Sequence, residues 1–150
     1  LSQLEEPTAI IFMGDHLPYL GKDYLAYKEA GYLTESENNW SLADTLKMRS
    51  LPFVIWSNYG AKFENHAAVS AQFLGCYLLD LAEVQDDFIF NFTRDFAQKL
   101  PVFGKTVNMN KEGDSFRQIP EDFIKLKKDY WLLQYDILFG QQYYKEYSPK

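Results

Sequence analysis

Two continuous apolar runs constrain the fold of this chain most. Residues 8–13 are apolar and rich in β-branched side chains, and residues 51–56 repeat that character with Pro52 near their start. Such runs are typical of strands buried on both faces of a sheet, and proline is tolerated at the beginning of a strand. Two strands are too few for a stable sheet. We therefore expect further strands within residues 104–119 and others from chain outside this sequence.

Apolar residues at helical spacing dominate the second half of the chain. They predict three helices: one from Ser70 as N-cap through Ala82, one opened by Asp86 or Asp87 and stopped by Pro101, and one between Pro120 and Gly140. Cys76, the only cysteine, lies among leucines and is expected to be a buried small hydrophobe. Two strands, an excursion and three helices predict an α/β or α+β class and a single domain over residues 1–150.

The segment over residues 17–49 is polar and aromatic, and glycines and asparagines break any long period. We expect it to be a long excursion over the surface, with a short helix over residues 23–30. Asn39 and Trp40 lie in this excursion, and a polar group beside an aromatic wall suits a glycerol or lipid headgroup as substrate. An ordinary surface loop is the alternative interpretation of these two residues.

The charge balance excludes some functions. The chain has 15 Lys and Arg against 21 Asp and Glu, a formal charge of −6. Nucleic acid is therefore not an expected partner, because binding to a phosphate backbone depends on clustered Lys and Arg. The longest uncharged apolar stretch, residues 67–79, is shorter than the ~20 residues of a membrane-spanning helix. Lys125, Lys127 and Lys128, with Asp129 beside them, predict a solvated face rather than a membrane patch.

Asp15 and His16 are the most specific local feature. They follow the first predicted strand directly, within Gly14-Asp15-His16-Leu17-Pro18, and open α/β sheets gather ligand-binding groups at the carboxyl ends of strands. One carboxylate oxygen beside one imidazole nitrogen suits Zn²⁺ or Mn²⁺. The alternative is an aspartate that serves a turn and a histidine that is only hydrogen-bonded. The other histidine, His66, lies in a polar stretch and is expected to be solvated, with a third metal ligand or a phosphate contact as the alternative.

Four segments together resemble a known family. They are residues 9–21, which contain the Gly-Asp-His-Leu-Pro motif, residues 51–58, residues 70–82, and residues 133–140 with the run Gln-Tyr-Asp-Ile-Leu-Phe-Gly. In this order they resemble the C-terminal part of the lipoteichoic acid synthase family. That family comprises sulfatase-like phosphoglycerol transferases of the alkaline phosphatase superfamily.

The resemblance implies a catalytic domain on the outer face of a bacterial cytoplasmic membrane, in a membrane-anchored parent protein. It implies an α/β fold that forms the C-terminal portion of a sulfatase-like domain, with a mixed sheet, packed helices and an added small antiparallel sheet. It also implies one divalent metal, Mn²⁺ first and Mg²⁺ or Zn²⁺ otherwise, with Asp15 and His16 as two of its ligands. The substrate would be a lipid-linked phosphoglycerol donor, and the product a glycerophosphate polymer of the cell envelope.

In this family the remaining ligands and the threonine that forms the covalent intermediate belong to N-terminal motifs, which have no match in this sequence. The sequence also starts at Leu1 rather than at a methionine. We therefore expect a piece of a longer enzyme that is inactive by itself. Its partners would be the N-terminal part of the same domain or, through exposed apolar surface, a second copy.

Two alternatives remain. The same Asp-His pair serves sulfatases and phosphoethanolamine transferases or phosphodiesterases of the superfamily. From another class of function, a non-catalytic extracytoplasmic binding domain would equally lack a nucleophile.

Overall fold

The computed structural model of the chain describes residues 5–61, 68–84 and 88–147. Within them lie the strands β1 (Ala9–Met13), β2 (Phe53–Ser57), β3 (Asn108–Met109) and β4 (Ser115–Phe116), and the helices α1 (Leu25–Glu29), α2 (Leu42–Arg49), α3 (Leu74–Leu81), α4 (Phe88–Lys99) and α5 (Ile124–Leu138). Short 3-10 helices cover Lys22–Tyr24, Glu37–Asn39, Ala71–Phe73, Glu121–Phe123 and Tyr143–Tyr147. This mixture confirms the α/β class. Among these residues, no helix is long and apolar enough to cross a membrane.

Strands β1 and β2 form a two-stranded sheet. At one end the Asn58 backbone N–H donates to the Thr8 carbonyl at 3.1 Å, and at the other the Gly14 N–H donates to the Pro52 carbonyl at 3.3 Å. These bonds make the pair antiparallel. The Asn58 side chain accepts from the Thr8 N–H and donates to the Glu6 carbonyl, both at 2.8 Å, and thereby fixes the start of β1.

The prediction that both strands are buried on both faces is wrong. Phe12 is 75% exposed and Val54 is 60% exposed. In the described part of the chain each of these strands has a single strand partner. A strand needs neighbours and covering layers to bury both of its faces, and apolar composition alone does not supply them.

The expected strands within residues 104–119 are present. β3 and β4 pair antiparallel, with Asn108 opposite Phe116 and Met109 opposite Ser115. They form the small antiparallel sheet that the resemblance implied.

The three predicted helices are confirmed as α3, α4 and α5, with local differences. Ser70 precedes the 3-10 turn before α3, but its hydroxyl makes no cap; it accepts instead from the Phe103 N–H at 2.9 Å. Cys76 is buried, as predicted. Asp86, Asp87 and His66 lie outside the described residues.

The chain divides into two compact units. We call Phe12–Val54 the excursion unit, and Leu1–Ile11 with Ile55–Lys150 the helical unit. The core of the helical unit is aromatic: Phe73 and Phe96 are fully buried, and the ring of Phe96 lies 4.8 Å from that of Tyr130 and 5.0 Å from that of Phe103. A single domain over the whole chain stays a prediction.

The excursion unit has a core of its own, so the description of residues 17–49 as a run over the surface is wrong. Leu33, Trp40 and Met48 are buried together, because the aromatic residues of the segment pack on one another instead of facing water. The segment also contains α2, which the sequence analysis missed. Ser41 begins α2 with a capping box: its hydroxyl oxygen accepts from the Asp44 N–H at 3.0 Å, and the Asp44 carboxylate accepts from the Ser41 N–H at 3.2 Å.

Candidate metal site

Asp15 and His16 lie just after β1, in the excursion unit. Both side chains are open to solvent, with 84% of Asp15 and 76% of His16 exposed. The Asp15 Oδ2 atom lies 3.5 Å from His16 Nε2, and Asp15 Oδ1 accepts from the His16 backbone N–H at 2.8 Å. The two groups therefore face the same space outside the strand end.

The other ring nitrogen of His16 has a partner as well. His16 Nδ1 lies 3.0 Å from the Leu17 carbonyl oxygen, which can only accept, so this bond requires the proton on Nδ1. In the neutral imidazole the lone pair is then on Nε2, beside the carboxylate. Backbone carbonyls commonly hold metal-binding histidines in this way, because they fix the tautomer and the ring orientation.

The spacing fits two ligands of one ion. Tetrahedral Zn²⁺ with bonds of about 2.1 Å separates adjacent ligand atoms by roughly 3.4 Å, and the observed separation of Oδ2 and Nε2 is 3.5 Å. Within the described residues, no group of three or more His, Cys, Asp and Glu side chains is placed to hold a metal. The chain thus presents two donors that fit a divalent ion, and the described part does not complete the coordination.

The alternative interpretation is compatible with the same contacts. A carboxylate that accepts from the next N–H and a histidine that bonds a nearby carbonyl also describe an ordinary turn. Metal binding by Asp15 and His16 therefore stays a prediction.

The two proposed substrate-binding residues differ in their exposure. Asn39 ends a 3-10 turn and is exposed. Trp40 is only 8% exposed; its ring lies 5.1 Å from that of Tyr24, and its Nε1–H donates to the Glu35 carbonyl at 3.2 Å. The indole belongs to the core of the excursion unit, which leaves Asn39 as the exposed member of the pair. Substrate binding by either residue stays a prediction.

Asp23 organises the backbone after the Asp-His motif, and the sequence analysis missed it. Its carboxylate accepts from Lys28 Nζ at 2.7 Å and from the Ser36 hydroxyl at 2.8 Å. The bond from Lys28, followed by that from Ser36, holds the pKa of Asp23 below its ordinary value. Asp23 and Tyr24 both have left-handed backbone conformations, with φ of 54° and 56°, which aspartate tolerates better than most residues. Both partners lie outside the i+3 and i+4 spacings of helical side-chain pairs, so the sequence offered no recognised signal for this contact.

The chain is similar to a curated protein of Rhizobium meliloti (strain 1021) named "Putative cyclic beta-1,2-glucan modification protein", with 27% identity over an alignment that covers 95% of this chain. The chain spans about a fifth of that protein's length, 22%. No protein-family model matches the chain, and no solved structure gives a significant match. Membership of the lipoteichoic acid synthase family stays a prediction.

Proposed function

We propose that this chain is the C-terminal part of a metal-dependent transferase of the bacterial cell envelope, which moves phosphoglycerol from a lipid donor to a glycan. The observation that carries the proposal is the Asp15–His16 pair, two donors 3.5 Å apart at a strand end with the histidine tautomer held by Leu17. The order of the four family-like segments supports the phosphoglycerol chemistry. The name of the rhizobial relative supports a glycan as the acceptor.

In this proposal Asp15 Oδ2 and His16 Nε2 hold one divalent ion, Mn²⁺ first. When bound, such an ion supplies positive charge to the oxygens of the transferred phosphoryl group. The Leu17 carbonyl keeps the Nδ1 proton and aims the imidazole. The Asp15 carboxylate brings one negative charge, which favours a cation at this position.

The remaining ligands and a threonine nucleophile lie, in this proposal, on chain outside this sequence. The 150 residues are then inactive alone and become part of a working site with the rest of the domain, on the outer face of the cytoplasmic membrane. Ester hydrolysis by a sulfatase-like enzyme would use the same pair, so phosphoglycerol transfer and ester hydrolysis differ in their substrates and not in this pair.

The test is Mn²⁺ binding to the 150-residue chain, followed by paramagnetic broadening of assigned NMR signals. We expect weak binding with broadening centred on Asp15 and His16. Asp15→Asn and His16→Gln should each lower the affinity about tenfold or more. Nitrogen shifts of His16 should also show the Nδ1-protonated tautomer.

The matched control is Asp122→Asn, which removes an exposed carboxylate of the helical unit. It should not change Mn²⁺ binding. Tight binding that survives both Asp15→Asn and His16→Gln would sink the assignment. If a longer version of the protein transfers phosphoglycerol undiminished with both substitutions, the pair has no catalytic role.

A further inference from the structure

A groove of about 760 Å³ in the helical unit concentrates positive charge. Four basic side chains line it: Lys105, Arg117, Lys127 and Lys128. No aspartate or glutamate is among the described residues of its wall, although acidic residues outnumber basic ones in the chain as a whole. We call it the basic groove.

One wall of the basic groove is a face of α5. Lys127, Trp131 and Gln134 recur along it at helical spacing. The ammonium of Lys127 lies 4.3 Å from the centre of the Trp131 ring, and Trp131 is 53% exposed. Lys125 is not part of this wall and pairs with Asp129 at 2.6 Å. Lys125 and Lys128 are exposed, as the predicted solvated face requires, and Lys127 and Lys128 also line the basic groove.

A buried asparagine fixes the backbone of the lining outside α5. Asn108 is 1% exposed; its Oδ1 accepts from the Gly104 N–H at 3.1 Å, and its Nδ2 donates to the Arg117 carbonyl at 3.3 Å. These bonds fix the backbone beside Lys105 and at Arg117, the two basic residues of that part of the lining. The backbone at these two residues is therefore held by hydrogen bonds, so little of it must become ordered when a ligand binds.

We propose that the basic groove binds a phosphate-bearing saccharide. Lysine and arginine side chains make charge-assisted hydrogen bonds to phosphate oxygens and are common in phosphate-binding sites. The same groove offers the exposed Trp131 ring and the amides of Gln118 and Gln134, which suit a sugar ring and its hydroxyls. Its volume falls within the range of roughly 300–1,000 Å³ of small-molecule sites, and its concave shape suits a soluble ligand better than a membrane surface.

This inference goes beyond the proposed function, because it assigns a site in the other unit that needs neither Asp15 nor His16. The phosphate part rests on the charge of the groove. The saccharide part rests also on the proposed glycan acceptor.

The test uses glucose 6-phosphate, glucose and inorganic phosphate as probes of the 150-residue chain, with the Trp131 indole signal as the NMR readout. Glucose 6-phosphate should bind at least about tenfold more tightly than glucose, since each charge-assisted bond is worth roughly a factor of ten. It should also bind at least about tenfold more tightly than inorganic phosphate, which lacks the sugar ring that would contact Trp131 and the glutamine amides. The affinity should fall as salt rises. Equal binding of inorganic phosphate would overturn the saccharide part, and equal binding of glucose would overturn the phosphate part.

Variants locate the site. Lys128→Gln and Arg117→Gln should each weaken glucose 6-phosphate binding about tenfold. Lys125→Gln makes the same charge change on α5 outside the groove, and it should change the affinity by no more than about twofold. Equal effects of Lys125→Gln and Lys128→Gln would overturn the assignment. Association with phosphatidylglycerol vesicles in the absence of glucose 6-phosphate binding would overturn it in favour of a membrane.

Asp15→Asn distinguishes this proposal from the previous one. We expect glucose 6-phosphate binding to be unchanged in this variant. Failure of the unsubstituted chain to bind glucose 6-phosphate, together with Mn²⁺ binding that Asp15→Asn weakens, refutes the groove alone. Mn²⁺ binding that is unchanged in Asp15→Asn, together with glucose 6-phosphate binding, refutes the metal site alone.

Discussion

Replacing Trp40 by alanine should unfold the excursion unit. The side chain is 8% exposed and packs in the core of the unit with the buried residues Leu33 and Met48. Removal of a buried Trp typically costs about 3–5 kcal/mol, and the Glu35 carbonyl also loses the indole N–H. A segment of this length has roughly 2–6 kcal/mol of stability of its own. The substitution therefore removes most or all of the stability of the unit.

The assay is amide hydrogen exchange of α2, which begins just after Trp40 and belongs to the same unit. Trp40→Phe keeps a ring in the core but loses the N–H bond, so it should lower the free energy of unfolding of the excursion unit by about 1 kcal/mol. Asn39→Ala is the control, because Asn39 is exposed and its replacement should stay within about 0.5 kcal/mol. If α2 exchanges equally slowly in Trp40→Ala and Asn39→Ala, the indole does not hold the core, and its assignment as a substrate-binding residue gains support.

Three further outcomes follow from local contacts. The Ser41 hydroxyl holds the pKa of Asp44 below its ordinary value. The ionised Asp44 therefore stabilises the folded state above about pH 4, and this stabilisation is lost as the pH falls through the lowered pKa. Hydrogen exchange of α2 should show this acid dependence, and Asp44→Asn should remove it. Phe96→Ala should destabilise the helical unit by about 3–5 kcal/mol in urea unfolding, because the ring is fully buried. Gly140→Ala should lower the melting temperature, since its Cβ would lie 2.7 Å from a backbone carbon of the preceding turn, whereas Gly75→Ala, whose Cβ meets nothing closer than 3.8 Å, should raise it through helix propensity.

Elements with a strong local signal were predictable from the sequence. α4 and α5 have apolar residues at helical spacing between residues that start and stop helices, and both formed within the expected bounds. α2 was missed because its buried positions include the polar residues Asp44 and Thr45, so no apolar stripe marks it. A serine three residues before an acidic residue was the available signal, since that spacing is a capping box.

Burial could not be read from the same patterns. Phe12 and Val54 belong to runs that predict buried strands, yet both are exposed, because burial depends on which elements cover a strand and not on the strand itself. Trp40 shows the converse error: it lies in a polar segment and is enclosed by neighbours that become adjacent only in the folded unit. The basic groove was missed for the same reason, since residues far apart in sequence, such as Lys105 and Lys128, form its walls.

The Asp15–His16 pair shows which part of a candidate metal site a local sequence motif can predict. Asp15 and His16 are adjacent in sequence at a strand end, so the 3.5 Å approach of their side chains is a local feature that the sequence could predict. The positions of the further donors that a metal would need depend on packing that two neighbouring residues do not specify. Two exposed donors alone compete poorly with water for a divalent ion, because both side chains are largely hydrated and neither is held by burial. The bond from Nδ1 to Leu17 leaves the Nε2 lone pair beside the carboxylate, as a metal would require, but an ordinary turn allows the same bond. Mn²⁺ binding that Asp15→Asn and His16→Gln weaken is therefore what would distinguish the pair from such a turn.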